Sequence, residues 1–303
     1  MIKKISTGCA VLGMSALLFS GCSHSPNLRL VNELHFPLDA VSEIQISYDE
    51  EPITFFKSET NELIIKEYMT SDKKRYCANV AQERESITIS EGAKPFFQGD
   101  FSRSIEVYLP ASYHQTLTVT TTDGDIDCTQ TEFSLETLRM DSTAGTVQLD
   151  TVAASQIYLS TTKGTLAIGS LEANQIDITT TSGEVTCEKL NGAVAYKTTS
   201  GNADIKAAVG SGSYRAENSG TLNVVYTEVI GNLSFFNKND AVQITFPKDL
   251  EFYFIATTKN GSISTPVQAD TVVDGGTTKG TVGSNPTATV ELETKNGRIE
   301  ITQ

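Results

Sequence analysis

The chain has 303 residues, with 23 Lys and Arg against 37 Asp and Glu, a formal net charge of −14. An acidic surface of this kind argues against nucleic acid as a partner and against direct binding to anionic lipid. With 22 Gly, no Trp and many Thr and Val, the composition favours strands and turns over helices.

The N-terminus opens Met1-Ile2-Lys3-Lys4, followed by an apolar run from Cys9 to Phe19. That run is about ten residues, half the roughly 20 that a membrane-spanning helix needs. A basic start before a short apolar run is the pattern of an export signal. The run ends Leu17-Leu18-Phe19-Ser20-Gly21-Cys22, which resembles the lipobox of bacterial lipoproteins. There, small residues precede a cysteine that is lipidated and becomes the new N-terminus. Phe19 departs from the usual Leu, Val or Ile at its position, and Leu18 lies one place further out. The resemblance implies removal of residues 1–21, lipidation of Cys22 and an extracytoplasmic place on a bacterial membrane. Each buried acyl methylene contributes about 0.8 kcal/mol, and more than one chain makes attachment stable. An ordinary signal peptide with an incidental cysteine is the alternative.

Residues 22–39 are expected to form the lipidated cysteine and a polar tether, opening Ser23-His24-Ser25-Pro26-Asn27. Residues 40–115 show short alternating strands at Ile44/Ile46, Ile53/Phe55, Leu63/Ile65, Ile87/Ile89 and Ile105/Val107/Leu109. They are expected to supply opening coils and a β cap, because a solenoid end exposes unpaired backbone. A separate small β domain is the other option.

Residues 116–303 carry an internal repeat. A Thr/Ser/Asn-rich tripeptide followed by Gly recurs from Thr121-Thr122-Asp123-Gly124, through Thr161-Thr162-Lys163-Gly164 and Thr277-Thr278-Lys279-Gly280, to Thr294-Lys295-Asn296-Gly297. A degenerate copy places Asp240 in the Gly position. The spacings run from 17 to 21 residues, with a period near 19. Apolar residues alternate on both sides of each turn, as at Ile157/Leu159 before Gly164 and Leu166/Ile168 after it. Each repeat is therefore expected to be strand, polar turn, strand, with one buried face. The expected fold is all-β: a single-chain β-solenoid of about 19-residue coils, rising about 4.8 Å per coil. Its Thr/Asn/Gly turns would line the outside, with Gly at a positive φ. An antiparallel sandwich of hairpins is the alternative.

The segment Ile105-Glu106-Val107-Tyr108-Leu109-Pro110, then Leu117-Thr118-Val119-Thr120, Asp123-Gly124-Asp125-Ile126 and the serial Thr-Ser-Gly turns resemble the bacterial "putative adhesin" domain of unknown function. The resemblance covers about residues 40–303. It implies an exported, envelope-associated protein, in some cases linked to envelope-stress operons, and it carries no known catalytic residues or cofactor.

The residues themselves point the same way. His24, His35 and His114 are the three histidines, and none has a metal-ligand partner at useful spacing. Asp123, Asp125 and Asp127 form the densest acidic cluster, a weak candidate for Ca²⁺ beside its plainer reading as a solvated turn. Outward positions next to the turns are Thr146, Thr165, Glu184, Asn202, Thr221, Ser262 and Thr281, mostly hydroxyls and amides. Cys128 and Cys187 fall in one inward column three coils apart, about 14 Å. A disulfide needs Cα atoms within about 7 Å, so they are expected to be free; Cys77 could reach Cys128 if the cap folds over the first coil. The chain stops inside the last repeat, so Arg298, Ile299, Glu300 and Ile301 are expected to form an open edge suited to end-on self-association. The expected function is a non-enzymatic, membrane-anchored envelope lipoprotein presenting a solenoid binding or scaffold surface to an envelope protein or a glycan. The alternatives are an envelope-stress-linked regulator acting through a membrane partner, and a glycan-active solenoid enzyme.

Overall fold

The computed structural model describes residues 27–96, 99, 101–265 and 269–303; the export segment and Cys22 lie outside them. Among the described residues one 3-10 turn, Lys74–Tyr76, interrupts an otherwise all-β structure. The N-terminal part holds β1 (Arg29–Pro37), β2 (Glu43–Ser47), β3 (Ile53–Lys57), β4 (Glu62–Met69), β5 (Asn79–Gln82), β6 (Ser86–Ser90) and β7 (Arg103–Leu109). The regular region follows as β8 (Thr116–Thr121), β9 (Ile126–Ser142), β10 (Val147–Thr161), β11 (Thr165–Thr180), β12 (Glu184–Thr198), β13 (Ala203–Ala216) and β14 (Leu222–Asn237). The last part holds β15 (Val242–Thr245), β16 (Phe252–Thr258), β17 (Ile263–Ser264), β18 (Asp270–Asp274), β19 (Thr277–Val282), β20 (Ala288–Thr294) and β21 (Ile299–Thr302).

From β9 to β14 every neighbour pairs in parallel, one repeat apart: Val147 stands between Ile126 and Leu166, and Leu149 between Cys128 and Ile168. Hairpins would pair antiparallel, so the regular region is a solenoid and not a sandwich. Each coil has three sides rather than two. Between the two expected strands runs a short third segment whose inward residues are Val152, Leu171, Leu190 and Ala208, all buried. The sequence period held this signal, seven residues after Gly145, Gly164, Gly183 and Gly201. The main columns are apolar throughout and widen into rings, with Tyr214 stacked on Phe235 at 4.8 Å between centroids. Burying each such side chain contributes about 1.5–3 kcal/mol.

The turns differ from expectation in two ways. Their first residue points inward: Thr121, Thr161, Thr180, Thr198 and Thr258 are buried. The Thr121, Thr161, Thr198 and Thr258 hydroxyls accept hydrogen bonds from the N–H of Gly124, Gly164, Gly201 and Gly261 at 2.6–2.9 Å. Asn237 does the same for Asp240 at 3.0 Å in the degenerate copy. Secondly, Gly220 is the one repeat glycine with positive φ. The others are needed because turns of successive coils touch through their backbones. A Cβ on Gly145, Gly164, Gly183 or Gly201 would lie closer than 3.0 Å to the carbonyl oxygen of the glycine one coil before.

Chain order and stacking order part company at both ends. β20 inserts between β14 and β16, with Val290 paired to Leu233 on one side and Phe254 on the other. β21 inserts between β15 and β17, so Ile299 meets both Val242 and Ile263. The exposed asparagine ladder follows the same order, with Asn260 donating to Asn296 at 2.8 Å and Asn296 to Asn239 at 2.7 Å. The segment Arg298–Ile301 is therefore not the open end of the solenoid, which corrects the expected edge. Thr277–Gly280 is not a turn either. It belongs to β19, antiparallel to β16, with Gly280 against the Phe254 ring. β18 pairs antiparallel with β19 and finishes this end.

The N-terminal end mirrors this arrangement. β2 lies between β6 and β8, β3 lies between β7 and β9, and β4 then β1 add antiparallel strands outside β7. Residues 40–115 thus lie in the outermost coils of this end and in the strands that cover it. The tether is shorter than expected, because Arg29–Pro37 is a cap strand: Phe36 is buried and Leu34 packs beside the core. Nine steps of the turn ladder lead from residues 49–52 to 259–262, an axial length of about 43 Å.

Two predictions follow from this packing. Replacing Gly164 with Ala should lower unfolding stability in urea by about 1–3 kcal/mol. Lys163→Ala, on the exposed tip of the same turn, should stay within about 0.5 kcal/mol; equal stability of both variants would refute the contact. Cys77, Cys128 and Cys187 are free thiols. Burial pushes the Cys187 thiol up to about 12, and burial, then Asp127, raises Cys128 well above its ordinary value. Iodoacetamide at about pH 8 should modify both only after denaturation, while half-buried Cys77 reacts slowly in the native protein. Native labelling of Cys128 or Cys187, read by peptide mass, would contradict the column.

Candidate functional site

Three regions could carry function: the acidic turn, the capped N-terminal end and the third side of the coils. At the acidic turn the carboxylates serve local bonds. Asp125 Oδ1 accepts from the Thr146 N–H at 2.7 Å. Asp127 Oδ1 accepts from the Thr129 N–H at 2.8 Å and its hydroxyl at 2.7 Å. Asp123 sits exposed at the turn tip. Among the described residues no three His, Cys, Asp or Glu side chains converge as a metal set. His35 stands between Glu62 at 3.1 Å and Glu33 at 3.2 Å, and His114 Nδ1 lies 2.8 Å from the Ser134 carbonyl. His24 and Cys22 lie outside the described residues. Of the outward residues next to the turns, Thr281 does not belong to the row, because it lies on β19.

The capped end holds an ion cluster that sequence reasoning missed. Arg103 is fully buried; it donates to the Tyr76 carbonyl at 2.6 Å, to Glu51 at 2.8 Å and to Glu91. Lys94 adds ion pairs to Glu91 at 3.0 Å, Glu50 at 3.4 Å and Glu51 at 3.5 Å. Burial is the largest influence on Glu91 and holds its carboxyl above the usual range, with Glu51 adding to it. Glu67 is equally buried and accepts from Asn32 at 2.7 Å, the Ala78 N–H at 2.8 Å and the Tyr48 hydroxyl at 3.2 Å. Burial, then the Glu67 charge, raises the Tyr48 hydroxyl far above its ordinary value. A signal for both was present: Arg103 and Glu67 continue the inward phase of Ile105/Val107 and Leu63/Ile65. Because each charge is bonded on its buried side, the cluster ties the loop around Glu91 to the first coil and closes the end of the core.

The third side forms a groove parallel to the solenoid axis. Ala154, Ala173, Gly192 and Gly210 are too small to fill the corner, leaving about 570 Å³, with Ile230 68% exposed at its far wall. A second hollow of about 710 Å³ continues it toward the cap, lined by Tyr113, Glu132 and Asp150 among others; the two share Ser134, Leu135 and Ala153. Hydroxyls, amides and backbone line most of its length. That chemistry can hydrogen-bond an extended polar chain, with Glu132, Asp150 and Lys57 adding charge toward the cap.

No curated protein matches the chain. Solved structures similar to the chain include three described as a "putative adhesin". The one from Bacteroides fragilis is 12% identical over 91% of this chain and 98% of that chain, with a TM-score of 0.42. That from Parabacteroides distasonis is 12% identical over 91% and 98%, with a TM-score of 0.41. That from Parabacteroides merdae is 14% identical over 90% and 96%, with a TM-score of 0.40. The family model described as Toastrack DUF4097 matches residues 41–302, nearly the whole solenoid with its caps. The chain belongs to the Toastrack DUF4097 family.

Proposed function

We propose that the protein is a lipid-anchored envelope protein whose solenoid displays a binding or scaffold surface and catalyses no reaction. The observation that carries the reading is the layout of the chain around Cys22. Six residues lie between Cys22 and the start of β1 at Arg29, a reach of at most about 25 Å. β1 lies on the outside of the cap. A lipid on Cys22 therefore holds the capped end near the membrane and points the far turns, near residues 259–262, away from it. The surface between them supports display: hydroxyls and amides repeat from coil to coil, beside a groove about five coils long. Asp125, Asp127, Glu51 and Glu67 are engaged in bonds that hold turns and cap together. No described helix is long and apolar enough to cross a membrane, so in this reading attachment comes from the lipid.

Intact-mass analysis of protein extracted from native membranes tests the anchor. The wild type should begin at Cys22 and carry a diacylglycerol mass, and Cys22→Ala should leave the membrane fraction. An unlipidated wild type recovered outside the cell would overturn the proposal.

A further inference from the structure

Among the described residues β1, β5 and β18 are edge strands, and β18 lies at the end of the stack opposite the N-terminal cap. Among the described residues β18 pairs with β19 alone. All five of its residues are exposed, and Val272 and Val273, which point to opposite faces, are each 69% exposed. A strand bare on both faces that still carries Thr271-Val272-Val273 has the β-branched composition of a strand built to pair. Its faces differ. Register with β19 puts Asp270, Val272 and Asp274 on the side of Thr281, Lys279 and Thr277. Thr271 and Val273 lie on the side of Gly280 and Thr278, which face the core, and overhang it.

We infer that β18 receives an extended segment of another polypeptide as an added strand, and that this segment alternates basic and apolar residues. Backbone bonding to an open edge supplies affinity and the alternating side chains supply selectivity. Cations at two positions of the incoming strand, four residues apart, stand beside Asp270 and Asp274, where opposite charges stabilise a cross-strand pair. Apolar residues between them lie beside Thr271 and Val273 and cover the overhang. Charge excludes the simplest competitor. In an antiparallel pair of two copies centred on Val272, Asp270 of one faces Asp274 of the other, and like charges directly opposite destabilise pairing. The inference concerns a surface separate from the anchor and stands without it.

The test titrates two fluorescein-labelled peptides, Ser-Lys-Val-Thr-Val-Lys-Ser and Ser-Glu-Val-Thr-Val-Glu-Ser, into full-length protein in detergent. Anisotropy reports binding, and hydrogen exchange reports protection of residues 270–274. The lysine peptide should bind and protect β18, and the glutamate peptide should bind at least about tenfold more weakly. The double variant Asp270→Lys/Asp274→Lys changes only exposed side chains and should reverse the preference, which also shows that it is folded. Absence of binding by either peptide up to about 1 mM, or equal binding of both, would overturn the inference. So would protection of 270–274 in peptide-free protein that sediments as a dimer, which would give the edge to a second copy.

Discussion

Backbone contact between stacked turns is the constraint on which the rest of this molecule depends. In the column from Gly124 through Gly220, each glycine lies over the carbonyl of the turn before it, with no room for a Cβ. That contact fixes the coil spacing at the turn, and the spacing aligns every apolar column behind it. The inward threonine locks the same turn by accepting the glycine N–H. A turn position fully packed by backbone on one side leaves its outward tip free to vary, which is why Asp123, Ala144, Lys163 and Ser182 can occupy equivalent places.

A stack held in this way grows by repetition and must be stopped. Both ends are stopped by the same device: the outermost coil of the stack is followed or preceded in the chain by a coil tucked inside it, and an antiparallel strand covers the outer edge. At the N-terminal end the cover is thick, and buried charges close it: Arg103 reaches the first turn through Glu51, and Glu67 reaches β1 through Asn32. At the far end the cover is a hairpin with an uncovered outer strand, β18. The two ends thus differ in how they are closed: buried charges tie the N-terminal cover to the stack, whereas the outer strand at the far end is exposed on both faces.

Much of the solenoid was legible in its sequence because the period, the alternation and the turn residues all report one local geometry repeated. Ile157, Leu159, Leu166 and Ile168 announce their columns without reference to any distant residue. What the sequence did not disclose depends on contacts between distant segments. Thr277–Gly280 has the composition of a turn, yet it forms a strand because Phe254 fills the space beneath Gly280. Arg298–Ile301 comes last in the sequence, yet it lies inside the stack because β21 pairs between β15 and β17. The buried Arg103 and Glu67 were hidden by chemistry: charged residues are expected outside, and phase alone placed them within. Of the candidate sites, the acidic turn resolved into local hydrogen bonding. The groove on the third side escaped notice because small residues mark it only when coils are stacked.

The account rests most heavily on the re-entrant order of the last coils, since the sealed C-terminal strand and the open β18 edge both follow from it. Disulfide trapping tests that order directly, using cysteine pairs at outward, exposed or half-buried positions with Cys77, Cys128 and Cys187 replaced by Ala. Gln243 stands beside Glu300, and Glu300 beside Ser264, so Gln243 and Ser264 are two coils apart, about 10 Å. A bridge needs Cα atoms within about 7 Å. The Gln243→Cys/Glu300→Cys protein should therefore cross-link under mild oxidation and Gln243→Cys/Ser264→Cys should not. Cross-linking of the second pair and not the first would mean that the coils stack in chain order, and would contradict the structure described.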